Sequence, residues 1–149
     1  PMQSLHVSRV FEADAATVFD VISDHAGYAS LPGVRRAWLR RTGDAHRDGV
    51  NAERVLDLGL ARIVERITEY EPGNALGYRI IESPLPIEHA GARLTFEPLP
   101  GPTARTRVHW RSQLRASTPL AQAPVAFAIA RQMAFAYGVA LRIWGRRLR

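Results

Sequence analysis

The clearest order in this chain is a strict alternation of apolar and polar positions in its last third. Val108, Trp110, Ser112 and Leu114 alternate with Arg107, His109, Arg111 and Gln113, the period-two pattern of a strand with one dry and one wet face. The same parity runs through Ala92, Leu94 and Phe96 against Arg93, Thr95 and Glu97, and through Leu76, Tyr78 and Ile80 with Arg79 outside. Turn signals at 43–49, Gly59, Pro72-Gly73, 84–86 and 98–102 divide the middle of the chain into six β-like segments. A β-prone run over Gln3–Phe11 precedes them. Between it and the six segments, Asp14 is placed to cap a helix in which Val18, Phe19 and Ile22 fall at helical spacing. Asp24 caps a second, shorter helix that runs through Leu31 and stops at Pro32-Gly33.

One hairpin can be read to the residue. The segments 51–58 and 61–70 flank Gly59-Leu60, a two-residue connection with glycine first, as a type II′ turn requires. Pairing Leu58 with Ala61 then sets Asp57 opposite Arg62 and Glu53 opposite Arg66 on one face. The other face pairs Leu56 with Ile63 and Ala52 with Ile67, and between them places Arg54 opposite Glu65. A slip of one residue would undo all these matches together. Trp38 is assigned to the dry face with them. The whole describes an antiparallel sheet with one face in water.

The dry face needs a cover, and the stretch from about 120 to 147 is the long helical candidate. A helical wheel puts Arg131, Gly138, Arg142 and Arg149 on one side and Val125, Ile129, Met133, Ala136, Tyr137, Ala140, Ile143 and Trp144 on the other. Phe127 and Phe135 flank the arginine side and are left unexplained by packing on the sheet. As a membrane span the helix would hold Arg131 near its middle, at a cost of ~2.5–3.5 kcal/mol, which argues against integral membrane association.

Composition narrows the function. A length of 149 residues fits one domain, 1–149, and 46% apolar with 23% charged residues is the balance of a globular fold. The absence of cysteine excludes disulfide scaffolds, thiol catalysis and thiolate metal sites. No secretory leader pattern opens the chain, so the expected location is cytoplasmic. The net charge of +6 rests entirely on arginine, but the arginines are scattered and accompany no nucleic-acid-binding motif, so no nucleic-acid partner is expected. His6, His25, His46, His89 and His109 show no metal-ligand spacing, and no glycine-rich phosphate loop is present; neither metal nor cofactor is expected.

The order of a strand, two small helices, six antiparallel strands and a long C-terminal helix is similar to the helix-grip fold. The run Ala15-Ala16-Thr17-Val18-Phe19-Asp20-Val21-Ile22-Ser23-Asp24, then Tyr28 and Leu31-Pro32-Gly33-Val34, resembles the N-terminal signature of the polyketide cyclase/dehydrase and lipid-transport (SRPBCC, START-like) superfamily. Val64 to Gly73, followed by Leu76 and Tyr78, resembles its central hairpin, and Thr106-Arg107-Val108-His109-Trp110 its last strand. The resemblance implies an α+β fold: a seven-stranded antiparallel curved sheet wrapped around the C-terminal helix, with a pocket between them for a hydrophobic or aromatic molecule.

Three residues stand out for chemistry. Arg54 and Glu65 would form an ion pair within an apolar lining, with Arg54 binding a ligand carbonyl or carboxylate while Glu65 orients it or acts as a base; a purely structural pair is the competing reading. Tyr78 is placed, like Tyr137, to donate to a ligand oxygen. The expected lining is Trp38, Leu56, Ile63, Ile80, Leu94, Phe96, Val108, Trp110, Ile129, Met133 and Tyr137. Ser112 shares that face with no evident base beside it, and Ser23-Asp24-His25 are neighbours at a helix end that cannot converge as a triad requires. The leading expectation is a binder of a lipid, quinone or polyketide-like molecule, and the alternative is a polyketide cyclase/aromatase or dehydratase using the same pocket. A third class is an interaction module, with a homodimer or membrane-surface contact through Phe127, Phe135 and the tail Arg146, Arg147 and Arg149.

Overall fold

A computed structural model describes residues 1–117 and 122–149; the expected start of the last helix, near 120, lies outside the described residues. In chain order the elements are β1 (Gln3–Phe11), α1 (Ala15–Ser23), a 3-10 helix (His25–Ser30), β2 (Arg36–Arg41), β3 (Glu53–Asp57), β4 (Arg62–Glu71), β5 (Ala75–Glu82), β6 (Ile87–Pro98), β7 (Thr106–Ala116) and α2 (Gln122–Arg147). Both caps form: the Asp14 carboxylate accepts from the Thr17 N–H, and that of Asp24 from Ala26.

The strands make one antiparallel sheet in the order β1-β7-β6-β5-β4-β3-β2. Strands β2 to β7 are thus sequential neighbours, and β1 closes on β7, with Val7 opposite Trp110 and Phe11 opposite Thr106. The hairpin of β3 and β4 has the register read from sequence, including Glu53 with Arg66, Arg54 with Glu65 and Leu56 with Ile63. The Leu58 N–H donates to the Ala61 carbonyl at 2.8 Å, and Gly59 opens the turn at φ +90°, a backbone that side chains with a Cβ adopt at a cost. On the outer face Glu53 accepts from Arg66 and Arg40, and the two guanidinium groups hold its carboxyl below the usual range.

The concave face is divided. Helix α1 covers one part, where Phe19 meets Phe96 edge-on at 5.2 Å and Val18, Phe19, Ile22, Leu94 and Val108 are fully buried. Helix α2 runs along β1 and β7. Its stretch Pro124–Arg147 is long and apolar enough to cross a membrane, but here Ala126, Ala130, Tyr137, Leu141 and Trp144 are buried and Arg131 is exposed. This stripe is rotated by most of one residue from the one expected. Val125 and Ala136 are exposed, and Gly138, expected toward water, approaches Val7; Gly145 likewise approaches Arg9 and Phe11. The reason is steric. The helix backbone nears β1 through its small residues, while a wheel weighted by bulky apolar groups points at Met133, Ile129 and Ile143, which stay partly exposed.

Candidate functional site

Where α1 does not reach, β3, β4 and β5 stand apart from α2 and leave a cavity of about 620 Å3. Leu56, Ile63, Ile80 and Ile87 supply the sheet wall. Met133, Ala136, Tyr137, Val139 and Ala140 supply the helix wall, and Leu31 to Val34 the end beside the 3-10 helix. Leu58, Leu85 and Phe135 sit exposed at the rim, which gives Phe135 a place that sheet packing did not. The polar side chains of the lining are Tyr28, Glu65, Ser83 and Tyr137. An apolar chamber of this size with a few polar groups suits a small organic ligand.

Behind Glu65 lies Arg54. Its Nε donates to Glu65 Oε1 at 2.6 Å, and its guanidinium carbon lies 4.4 Å from the Tyr28 ring centre and 5.1 Å from that of Tyr78. Burial alone would pull this guanidinium down, but the charge of Glu65 and the neighbouring tyrosines leave it above the ordinary arginine value. Nη1 and Nη2 of Arg54 and the Tyr28 hydroxyl are buried without hydrogen-bond partners among the described residues. Burial pushes the Tyr28 phenol up to about 12, so it is a neutral hydroxyl at any physiological pH.

A second polar cluster meets the cavity at Tyr137. The Trp110 Nε1–H donates to the Tyr78 hydroxyl at 3.2 Å, and the Tyr78 hydroxyl donates to that of Tyr137 at 2.9 Å. The Trp110 ring stacks on Tyr137 with centroids 3.8 Å apart. From the far side come Ser112 and His89. Pairing of β5 with β6 ends at Tyr78–Ala92, and β6 bulges between His89 and Gly91. His89 Nδ1 accepts the Ile80 N–H at 2.9 Å in this opened stretch. That bond fixes the tautomer: Nε2 carries the hydrogen and donates to Ser112 Oγ at 2.6 Å. Burial, then the charge of Arg79, lowers the imidazole to about 4.

The expectation that Ser112 lacks a basic neighbour is therefore corrected: His89 sits beside it. The imidazole nevertheless points its hydrogen at the serine, which is the wrong tautomer for taking the serine proton. Of the other site residues named from sequence, Leu56, Ile63, Glu65, Ile80, Met133 and Tyr137 line the cavity. Arg54 and Tyr78 are buried one layer behind it, so Arg54 touches the wall through Glu65. Leu94, Phe96 and Val108 belong to the packed core, Trp110 lies behind Tyr137, and Ile129 is outside the lining. Trp38 is a correction of parity. It pairs with Val55, which pairs with Val64, the row opposite in direction to Arg54 and Leu56. Its ring lies on the outer face between the guanidinium groups of Arg36 and Arg62, at 4.7 and 5.3 Å.

Sequence reasoning missed Tyr28, the 31–34 segment, Ser83, Leu85 and Ile87 as lining. These lie in or beside connections, where periodicity carries no signal. The fold also gathers Asp24, His25 and Asp48, whose ligand-type atoms fall within 4.8 Å of one another. His25 Nδ1 lies 2.7 Å from Asp48 Oδ1, and Arg47 reaches Asp48 at 2.9 Å and Asp24 at 3.6 Å. The trio is thus a hydrogen-bonded clasp, braced by Arg47, that holds the 3-10 helix to the 43–50 loop.

A curved sheet gripping a long C-terminal helix defines the helix-grip fold. A family model, polyketide cyclase / dehydrase and lipid transport, matches residues 2–146, and the chain belongs to that family. Among curated proteins no sequence matches it. Among solved structures it is similar to a START superfamily protein from Mycobacterium smegmatis, with 17% identity, 99% of each chain covered and a TM-score of 0.76. It is also similar to the Zhui aromatase/cyclase from Streptomyces sp. R1128, with 16% identity, 100% and 97% of the two chains covered and a TM-score of 0.68. A protein from Thermobifida fusca shares 26% identity over 91% of this chain and 84% of its own, with a TM-score of 0.64. The likenesses to the mycobacterial protein and to the aromatase/cyclase establish the fold.

Proposed function

We propose that the protein binds a hydrophobic small molecule (a lipid, quinone or polyketide-like compound) in the cavity between β3–β5 and α2, in a cytoplasmic setting. The observation that carries this reading is the chamber of about 620 Å3 with an almost wholly apolar lining, its few polar groups being Tyr28, Glu65, Ser83 and Tyr137. The family to which the chain belongs supports it. In this reading Arg54 is a positioning residue that holds Glu65 at the wall, and the apolar groups take the body of the ligand. Native mass spectrometry of the protein purified from its own host tests the proposal. A bound apolar compound is expected, and it should disappear from an Ala136→Trp variant that fills the cavity. Uniformly ligand-free protein that also fails to bind added apolar probes would refute it.

A second reading is a cyclase/aromatase or dehydratase, favoured by one feature: a carboxylate backed by a guanidinium in an otherwise apolar chamber. Glu65 would take a proton from a carbon flanked by two carbonyls, and the resulting enolate would attack a second carbonyl of the same chain. Protonation of that oxygen and loss of water would complete ring closure. Turnover of a poly-β-ketone thioester to an aromatic product, abolished in a folded Glu65→Gln variant, distinguishes this from carriage alone.

A further inference from the structure

The buried cluster around Tyr137 carries more hydrogens than it has acceptors to take them. Trp110 Nε1 and His89 Nε2 are donors, the latter because its Nδ1 is taken by the Ile80 N–H. Tyr78, Tyr137 and Ser112 each bring one hydroxyl hydrogen. Trp110 and the two tyrosines thus bring three hydrogens to two contacts, Trp110 to Tyr78 and Tyr78 to Tyr137, while His89 meets Ser112 separately. Whichever way the two tyrosine hydroxyls turn, one hydrogen of this group is left without an acceptor within it. Among the described residues, these hydroxyls have no other hydrogen-bond acceptor.

The surplus hydrogen has one comfortable place. Tyr78 borders an outer hollow at the β6 bulge but is only 1% exposed and does not line the cavity beside α2, so leaving the hydrogen there strands a donor among buried groups. Tyr137 lines the cavity wall, and its hydroxyl, pushed up to about 12 by burial, keeps its hydrogen. Around it on α2 the wall offers Ala136, Ala140 and the weakly accepting sulfur of Met133, and Glu65 on the facing strand is bonded to Arg54 and makes no hydrogen bond to Tyr137.

We infer that Tyr137 is a dedicated hydrogen-bond donor to the bound molecule, and that the ligand is a hydrophobic carbonyl compound whose ketone or quinone-type oxygen seats on this hydroxyl. The inference rests on the cavity being the binding site. Fluorene and 9-fluorenone, the same tricyclic shape without and with a carbonyl, test it by calorimetry and infrared spectroscopy. The carbonyl stretch of fluorenone is expected to move to lower wavenumber on binding the wild-type protein. The ratio of fluorenone to fluorene affinity should drop about five-fold in Tyr137→Phe, the worth of one neutral hydrogen bond. An unshifted carbonyl band in the wild-type complex overturns the inference even if the variant fails to fold, and leaves the cavity reading intact. Failure of both compounds to bind overturns the cavity reading itself.

Discussion

Arg54 stands directly behind Glu65, bonded to it at 2.6 Å from the neighbouring strand while the rings of Tyr28 and Tyr78 face its guanidinium. Both side chains are nearly inaccessible to solvent, at 2% and 8% exposure, so the pair differs from the many surface bridges of this arginine-rich chain. An exposed pair contributes ~0–1 kcal/mol, whereas removing one partner of a buried pair costs ~3–5 kcal/mol.

Arg54→Ala and Glu65→Ala should therefore each lower the unfolding free energy by ~3–5 kcal/mol in urea titrations. The double replacement Arg54→Met with Glu65→Leu should recover most of that loss while impairing ligand capture. Additive losses in the double variant would show that the two residues do not act as a pair.

Ala136 is exposed on α2 and lines the cavity. Ala136→Trp should cut affinity for an apolar fluorescent probe at least about ten-fold, by removing the space for it, and shift the melting temperature little. Probe binding that survives the substitution would place the ligand elsewhere.

Trp38, on the outer face, should be silent in ligand binding. Trp38→Ala is expected to leave probe affinity within about two-fold, while costing about 1–2 kcal/mol of stability through lost cover over Val55 and Val64 and lost contacts with Arg36 and Arg62. A large loss of binding would contradict its placement.

His89 gives the fold a dependence on pH. Its imidazole is neutral in the folded protein down to about 4, whereas an unfolded histidine protonates near 6.5. Between those values the unfolded chain binds more protons, so this contribution is complete above about 6.5 and shrinks as pH falls toward 4. Urea titrations from pH 7 to 4 should show stability falling at up to about 1.4 kcal/mol per pH unit from this group, with a shallower slope in His89→Gln. A proton resonance of the His89 ring titrating near 6.5 in the folded state would refute the assignment.

The architecture was legible because it is written in two periodicities and a turn. The Gly59-Leu60 connection fixes a register that places Arg54 against Glu65, and strict alternation places Tyr78, Leu94 and Trp110 indoors. What alternation cannot tell is depth: Leu94 and Tyr137 both point inward, yet one is packed solid near α1 and the other borders open space. Trp38 went astray because the 43–49 loop breaks the parity count between β2 and β3. The rotation of α2 was hidden because its grip on β1 is made by glycine and alanine, which a hydrophobic wheel barely weighs. His89 was overlooked because its role depends on a bulge that parts two strands.

The union of β1 with β7 has a kinetic implication. Gln3 meets Leu114, and Phe11 meets Thr106, so the opening segment of the chain waits through about a hundred residues of synthesis for the strand it will join. Until then the meander from β2 to β6 can zip by local steps, leaving a raw margin where the seam will form. Such distant closure is slow in folding chains, and during that interval the nascent sheet is most exposed to joining the wrong neighbour.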